Sequence, residues 1–364
     1  MKAWSSAVVA MLALGAIAAP LHAEVPKTSR KVVLEKTENG YRWKLTEAAV
    51  PAIGDRQVLV HVRAVAINRG DLEMLRPDER RDHSGRVVAS DAAGDVVSVG
   101  RKVEGIKPGQ RVTSLYFRNW TGGPPSREVL AGAHGFNIDG VLGDYIVLDD
   151  TAVAPAPEGL SYEEAATLPT AGLTAWMASL GQRDLHRGDV VLVQGTGGVS
   201  TFVLQFAAAA GARVIVTSSS DDKLRRVKTL GARDGINYRT TFNWAERVLE
   251  LTDNHGADLI VDVGGKETLR QSVNCLAYGG TLSIVGGLTG YDGDLPSLGL
   301  LVKTARAQGV FVGSRADFLT MSEFITRHRM RPVIERVFPL EQYAAALQLM
   351  ESGNFVGKIV LQLK

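Results

Sequence analysis

The residues best suited to bind a ligand form a short glycine-rich loop over residues 195–200. The loop reads Gly195-Thr196-Gly197-Gly198-Val199-Ser200; it follows the apolar run 190–194 and precedes a helical pattern over 201–210. A second apolar run, 213–217, completes a βαβ unit. In that context Gly195 permits a tight turn, and Gly197, Gly198 and Val199 bring backbone N–H groups to a pyrophosphate at a helix N-terminus. The loop predicts a dinucleotide site, although Ser200 stands where a third Gly or Ala is usual.

The choice of dinucleotide is determined at the end of the second strand. An NAD site places a carboxylate there for the ribose hydroxyls, whereas this chain has Thr-Ser-Ser-Ser over 217–220 followed by Lys223. Small hydroxyls leave room for a 2′-phosphate that Lys223 can neutralise, so the segment favours NADP(H). Asp221 and Asp222 come later and are expected to open the next helix as cap and first-turn acids. The alternative is that Lys223 and the two arginines after it only solvate a helix face.

Two different sequence patterns surround these residues. The chain has 364 residues, 45% of them apolar and 22% charged, which predicts two globular domains. Residues 30–155 alternate short β-like runs with Gly- and Pro-rich turns, which indicates an antiparallel β-rich module. From about residue 161 strands alternate with helices, which is typical of a doubly wound parallel sheet. The predicted fold is therefore α/β in two parts, and the chain ends in a last strand over 358–363.

The charge and cysteine content exclude several functions. A net charge of +2 gives no reason to expect nucleic acid or an acidic partner surface. The expected partner is a small-molecule substrate that reacts with the dinucleotide. Cys275 is the single cysteine, which rules out an intrachain disulfide and a cysteine-based metal cluster. We expect it to be a buried small hydrophobe on a helix face rather than a nucleophile.

The N-terminus has the features of an export signal. Lys2 precedes a continuous apolar run over 7–19, and Leu21-His22-Ala23 fits a small-residue cleavage site. The run is too short to span a bilayer, so residues 1–23 are predicted to be a cleaved signal peptide and the mature chain to have no membrane span. NADPH is not expected to be plentiful outside the cytoplasm. An uncleaved leader or a downstream start, and a cytoplasmic protein, therefore remain the alternatives.

Ordered matches along the chain carry a family resemblance. From about residue 31 onward the chain resembles the zinc-free branch of the medium-chain dehydrogenase/reductase superfamily, which includes quinone oxidoreductases and alcohol-dehydrogenase-like proteins. The matching segments are Ala66-Ile67-Asn68-Arg69-Gly70-Asp71, residues 90–100, residues 107–112, residues 165–176, the loop from Gly195, Asn237-Tyr238-Arg239, residues 261–265 and Gly357-Lys358-Ile359-Val360.

The resemblance implies a domain organisation and a site. It implies a GroES-like catalytic domain over 30–171 and 314–364, an inserted NADP-binding Rossmann domain over 172–313, an active site in the cleft between them, and a homodimer. It also implies that Ser219, Lys223 and Tyr238 hold the 2′-phosphate. Residues implied to flank the nicotinamide include Gly286, Gly287 and Gly313.

The departures from the family pattern bear on mechanism. Zinc-dependent members use Cys, His and a further Cys or acid where this chain has Asn68, Ser90 and Thr170, so no metal site is predicted. Without a Lewis acid, reduction of a quinone or conjugated carbonyl suits the cleft better than alcohol oxidation. Asn68 is the first candidate for a donor to the developing oxyanion and Thr170 the second. A metal-free NADP-dependent alcohol dehydrogenase or carbonyl reductase, and a non-catalytic NADPH-binding protein, remain the alternatives.

Three further features have two interpretations each. Asp71 is expected to be a structural hydrogen-bond acceptor rather than a proton donor. The segment 118–143 stands in place of a metal-binding lobe and is expected to form either a wall or lid of the cleft, or a surface excursion or subunit contact. His134 lies within this segment and is a candidate to line the cleft.

Overall fold

The strands and helices follow the two sequence patterns, a β-rich part and then a part in which strands alternate with helices. The protein is described by a computed structural model that covers residues 25–181 and 183–364. Its strands are β1 (Thr28–Thr37), β2 (Gly40–Ala49), β3 (Gln57–Ile67), β4 (Asp91–Val99), β5 (Arg111–Ser114), β6 (Tyr145–Asp149), β7 (Val153–Pro155), β8 (Val190–Gln194), β9 (Arg213–Ser218), β10 (Asp234–Asn237), β11 (Ala257–Asp262), β12 (Leu276–Ile284), β13 (Arg306–Gly309), β14 (Ile334–Pro339) and β15 (Lys358–Gln362). Its α-helices are α1 (Arg69–Glu73), α2 (Arg127–Ala131), α3 (Tyr162–Ala166), α4 (Leu173–Ala178), α5 (Gly198–Ala209), α6 (Asp221–Lys228), α7 (Trp244–Leu251), α8 (Leu269–Asn274), α9 (Ser297–Val302), α10 (Arg315–His328) and α11 (Tyr343–Ser352).

The first half of the chain builds a mainly antiparallel sheet around β3. This strand is rich in β-branched residues, which suits a central position. It pairs antiparallel with β4, β6 and β15, and the seven-stranded sheet runs in the order β14-β15-β3-β4-β5-β7 with β6 beside β3. The hairpin of β1 and β2 packs its Val32, Leu34 and Trp43 into the same core.

The second half builds a six-stranded parallel sheet in the order β10-β9-β8-β11-β12-β13. All five residues of β8 are buried, as expected for a central strand covered by helices on both faces. The strand order is that of a doubly wound dinucleotide-binding sheet, whose ligands bind at the carboxyl ends of the strands where the order reverses, here between β8 and β11. The two-part α/β fold predicted from the sequence is confirmed.

The C-terminal segment returns to the first sheet and passes the glycine loop on its way. Strand β15 pairs with both β14 and β3. Just before it, the Gly357 N–H donates to the Thr196 carbonyl over 2.9 Å, and Gly357 lies opposite Gly197 as an isolated bridge. The glycine loop is therefore held by backbone hydrogen bonding to the segment that leads into β15.

Several expectations can be compared with this fold. Cys275 is fully buried, as predicted, but it caps the C-terminus of α8 instead of lying within a helix face. The cap residue of α6 is Ser220, so the expectation of an aspartate cap is wrong; Asp221 and Asp222 both lie in the first turn. The predicted signal peptide over 1–23 lies outside the described residues. Within the residues described, no helix is both long and apolar enough to cross a membrane.

Candidate active site at the domain boundary

The glycine loop has the shape required to receive a pyrophosphate. Gly195 adopts φ +75°, which favours glycine, and Gly197 has open space where a side chain would project. Gly198 and Val199 form the first turn of α5, whose N-terminus offers unpaired N–H groups. The unusual Ser200 is buried, and its hydroxyl donates to the Gln194 carbonyl over 2.7 Å. Ser200 therefore provides a hydrogen-bond donor for the last carbonyl of β8 and is small enough for α5 to pack closely on the strand.

A buried lysine crosses the domain boundary beside this loop. Lys358, in β15, is 3% exposed, and a Cβ added to Gly198 would lie 2.5 Å from its Cδ. Its Nζ donates to the Ile67 carbonyl over 2.8 Å and to Asn68 Oδ1 over 2.5 Å. Burial lowers the pKa of the ammonium, and the nearby carboxylates of Asp91 and Asp71 oppose that shift. A side chain at position 198 would consequently collide with Lys358, and the role of Gly198 in binding a phosphate stays a prediction.

The Asp91 carboxylate accepts hydrogen bonds from three polar side chains near Lys358. Its carboxylate is fully buried and accepts from Asn68 Nδ2 at 3.0 Å, Ser90 Oγ at 3.0 Å and Thr170 Oγ1 at 2.5 Å. The Lys358 Nζ lies 3.9 Å from Asp91 Oδ2. We call these five residues, Asn68, Ser90, Asp91, Thr170 and Lys358, the Asp91 cluster. It pairs a buried cation with a buried anion and satisfies their polar atoms mainly with short side chains, as buried charges require.

The structure brings the two predicted catalytic residues together within this cluster. The Asn68 amide donates to Asp91 and, over 3.4 Å, to Ser90, while the Thr170 hydroxyl donates to Asp91. Each donor hydrogen of Asn68 and Thr170 already has an acceptor in the protein. The long contact to Ser90 is the weakest of these, so it is the one that a substrate oxygen can displace most easily. Their role as oxyanion donors stays a prediction.

Asp71 caps the short helix that follows Asn68. Its Oδ2 accepts from the Asn68 N–H over 2.7 Å, which confirms the expected structural role. The side chain is buried, and burial raises its pKa to about 7, with the Asn68 hydrogen bond opposing the shift.

The opposite end of the cofactor groove is positively charged. Ser219 and Tyr238 follow β9 and β10, and the Tyr238 N–H donates to the Ser218 carbonyl over 3.0 Å. Lys223 is partly buried in α6 and donates to the Gly353 carbonyl over 3.0 Å. Its pKa is lowered by burial and by the neighbouring Arg239. Asp221 lies in the same corner and accepts from Asn237 Nδ2 over 2.9 Å. Two adjacent cations form a site suited to a phosphate.

The segments implied to flank the nicotinamide lie at the carboxyl edge of the parallel sheet. Gly286 and Gly287 follow β12, where a Cβ would lie 2.9 Å from the Val263 carbonyl oxygen and 2.6 Å from the Tyr291 ring, respectively. Gly313 packs against Leu173 and Met177, which also leaves no room for a side chain. The residue before it, Val312, has φ 60°, which is a strained conformation for a β-branched residue.

Aromatic side chains form one wall of the cleft. The Phe136 ring lies against Gly70 and 5.7 Å from the ring of Tyr116, which in turn lies 5.8 Å from that of Phe311, the residue before Val312. The segment 118–143 thus brings Phe136 against Gly70, close to Asn68, and its role as a wall or lid of the cleft stays a prediction. His134 is instead buried, and its Nδ1 lies 2.9 Å from the Asp139 carbonyl oxygen, so the structure does not place it at an open surface of the cleft.

Four residues of the site were not identified as such from the sequence. Asp91, Lys358 and Arg239 stood only within matched motifs, and Tyr116 carried no signal. The acidic residue directly after Ser90 and the lysine in the last strand are charges within apolar runs, which is a signal that a buried pair was to be expected. No cluster of three or more His, Cys, Asp or Glu that could hold a metal ion occurs in the part of the chain that the structure describes.

Comparisons with known proteins agree with this geometry. The alcohol dehydrogenase GroES-like domain model matches residues 54–158, and the zinc-binding dehydrogenase model matches residues 198–327. A zinc-type alcohol dehydrogenase-like protein of Schizosaccharomyces pombe is 39% identical over 343 residues, which cover 92% of this chain and 99% of the relative. A solved Sinorhizobium meliloti 1021 structure, assigned provisionally as an alcohol dehydrogenase, is 38% identical with a TM-score of 0.88 over 93% of this chain and 100% of its own. A structure described as an NAD-dependent alcohol dehydrogenase is 32% identical with a TM-score of 0.81, over 92% of this chain and 100% of its own.

The fold and the site define an oxidoreductase that uses a nicotinamide cofactor at the boundary between a GroES-like and a Rossmann domain. The chain belongs to the medium-chain dehydrogenase/reductase superfamily, which confirms the resemblance seen in the sequence.

Proposed function

We propose that the protein is a zinc-independent, NADPH-dependent reductase of quinones, enones or related conjugated carbonyls. The observation that carries this proposal is the Asp91 cluster. Asn68, Ser90 and Thr170 occupy the positions that hold zinc in metal-dependent members, and the Lys358 ammonium donates directly to Asn68. A dication placed there would meet a buried positive charge and only weak ligands.

The paired cations at the other end of the groove support NADPH. Burial and then the nearby Arg239 lower the pKa of Lys223, and a 2′-phosphate would offset the repulsion between the two cations. Ser219 and the Tyr238 hydroxyl are suited to accept or donate at the same phosphate. No carboxylate stands at the end of β9, where an NAD site would place one, since residues 217–220 are Thr-Ser-Ser-Ser.

The proposed chemistry requires little covalent work from the protein. NADPH, when bound, supplies a hydride from C4 of its nicotinamide. The chain's residues then have two tasks: the aromatic wall excludes water, and hydrogen-bond donors stabilise the negative charge that develops on the substrate oxygen. Asn68 is placed to serve as one donor by exchanging its long contact with Ser90 for the substrate oxygen.

The test is NADPH oxidation, followed at the nicotinamide absorbance, with a panel of quinones, enones and aldehydes, before and after dialysis against a zinc chelator. We expect turnover of quinones or enones that survives chelation. Turnover of aldehydes alone would favour the carbonyl reductase alternative, and loss of activity on chelation would overturn zinc independence. Tight NADPH binding without turnover of any substrate would favour a non-catalytic protein.

We also propose that the chain forms a homodimer through the open edge of the parallel sheet. Strand β13 is the last strand of that sheet in the described structure, and α9 beside it exposes Leu298, Leu301 and Val302, with Leu301 74% exposed. An unpaired strand edge beside an apolar helix face is a surface that proteins normally cover. Light scattering should give twice the chain mass, and Leu301→Glu should shift the protein to monomer. A monomeric wild-type protein would overturn the proposal.

We further propose that residues 1–23 direct export and are cleaved. N-terminal sequencing of the natural protein after cell fractionation tests this. A cytoplasmic product that retains Met1 would overturn it.

A further inference from the structure

The Asp91 cluster does not offer the substrate oxygen a hydrogen-bond donor that is free of other partners. Every donor hydrogen of Asn68 and Thr170 is directed at Asp91 or Ser90. Asp71 accepts from the Asn68 backbone, and Lys358 donates to Ile67 and Asn68. A donor that can bind the substrate oxygen without giving up a hydrogen bond of Asn68 or Thr170 must therefore come from outside this network.

Tyr116 is such a group. It lies two residues after the end of β5, and its backbone carbonyl accepts from the His134 N–H over 3.0 Å, which fixes the main chain at this point. Its ring is 5% exposed and is held edge-on by Phe117 at 4.8 Å and by Phe311 at 5.8 Å. Its hydroxyl makes no hydrogen bond to any described residue. The hydroxyl oxygen is also not among the fully buried polar atoms, so solvent reaches it. The phenol therefore keeps an available hydrogen and an opening to solvent.

The location of the hydroxyl follows from its neighbours. Phe311 belongs to the Rossmann domain and precedes the strained Val312 and Gly313. The carboxylates that act electrostatically on the phenol are Asp71 and Asp91, which lie beside Asn68. Tyr116 thus stands between the Asp91 cluster and the segment implied to flank the nicotinamide, where a substrate carbonyl would have to lie.

We propose that Tyr116 is a catalytic residue whose hydroxyl donates a hydrogen bond to the substrate carbonyl oxygen; this rests on the proposed reductase function. As hydride adds to the carbon β to the carbonyl, the electron pair of the C=C bond shifts and the C=O π pair moves onto oxygen. The Tyr116 hydroxyl keeps its proton and stabilises the negative charge of the enolate that forms. A solvent proton then adds to the α-carbon and completes the reduction.

Two physical features support the assignment. Burial, together with the charges of Asp71 and Asp91, raises the pKa of Tyr116, so the phenol stays neutral and keeps its hydrogen for a hydrogen bond to the substrate oxygen. The same low-polarity wall strengthens a hydrogen bond to an oxyanion, because water does not compete for it.

The experiment compares Tyr116→Phe with Tyr343→Phe. Both variants remove one hydroxyl from a tyrosine, but Tyr343 donates to the Trp43 carbonyl, remote from the cleft. The first measurement is binding of p-nitrophenolate, an oxyanion with a visible absorbance, to the NADP⁺-loaded protein. We expect Tyr116→Phe to weaken binding about 10- to 100-fold, as for loss of a hydrogen bond to a charged group, and Tyr343→Phe to leave it unchanged.

The second measurement is turnover of whichever conjugated carbonyl the wild-type protein reduces. Tyr116→Phe should lower kcat about 10²- to 10³-fold, as loss of an oxyanion donor does, with KM for NADPH unchanged. A wild-type protein that reduces nothing while Tyr116→Phe still loses p-nitrophenolate affinity would remove the proposed function and leave the placement of Tyr116 intact. Wild-type turnover with no effect of Tyr116→Phe on either measurement would overturn the assignment and leave the proposed function standing. Failure of the wild-type protein to bind p-nitrophenolate, with unchanged turnover in the variant, would also overturn it.

Discussion

The two ends of the cofactor groove are built on opposite principles. At one end, the Asp91 cluster is buried, and its donors and acceptors are matched within the protein. At the other end, Lys223 and Arg239 are like charges close enough for Arg239, after burial, to lower the pKa of Lys223. The first end is complete without a ligand, whereas the second is complete only when an anion arrives.

The difference indicates at which end a substitution should change folding stability and at which end it should change cofactor affinity. A buried pair contributes to folding only while both partners are present, and removal of one leaves an uncompensated charge. Exposed cations contribute little to folding, but they determine which anion binds. Substitutions at the Asp91 cluster should therefore change the free energy of unfolding, and those at the cation pair should change cofactor preference.

The largest effect is expected from breaking the buried pair. Lys358→Met removes the hydrogen bonds to Ile67 and Asn68 and leaves the Asp91 carboxylate buried without its cation. Loss of one partner of a buried pair costs about 3–5 kcal/mol, which urea unfolding at pH 7 measures. Asp91→Asn should cost a similar amount, and the double variant less than the sum, because it leaves no unpaired charge.

A surface pair supplies the control for that experiment. Arg226 and Glu335 lie 2.7 Å apart, with the arginine side chain 48% exposed. Arg226→Met should cost less than about 1 kcal/mol. If Lys358→Met costs no more than Arg226→Met, the Asp91 cluster does not stabilise the fold in the way described.

The next effect concerns the pH dependence of stability. Burial raises the pKa of Asp71 from 3.8 to about 7, so between these values the folded state holds a proton that the unfolded state has lost. That contribution is fully present below pH 3.8 and is lost as pH rises through 7. The stability of the wild-type protein relative to Asp71→Asn should fall by roughly 3 kcal/mol from pH 5 to pH 8. Urea unfolding across that range measures it, with the exposed Asp292→Asn as a control that should track the wild type; a constant difference between the wild-type protein and Asp71→Asn would show that Asp71 titrates normally.

The sequence predicted the glycine loop and the residues near Lys223 better than it predicted the Asp91 cluster. Gly195, Gly197, Ser219 and Lys223 stand in a local βαβ unit, where position along the chain and position in space coincide. The Asp91 cluster is assembled from β4, β15 and the segments after β3 and α3, which are up to 290 residues apart. Its hydrogen bonds depend on strand register and side-chain direction, and neither can be derived from residue types and spacing alone. For the same reason Asn68 was recognised, but its partner Lys358 was not.

The smallest effect is expected at the cation pair, and it separates affinity from folding. Lys223→Ala and Arg239→Ala should each raise KM for NADPH about tenfold and leave KM for NADH unchanged, since only the former carries a 2′-phosphate. Arg225→Ala is the matched control, because Arg225 pairs with Asp222 on the same helix and should affect neither cofactor. Both increases should shrink at high salt, as exposed charges are screened. An equal rise in KM for the two cofactors would place the cations elsewhere along the dinucleotide, and unchanged KM values would mean that they only solvate the helix. Because neither cation belongs to a buried pair, all three variants should unfold at nearly the same urea concentration as the wild-type protein, which is the result that most directly contrasts this end of the groove with the Asp91 cluster.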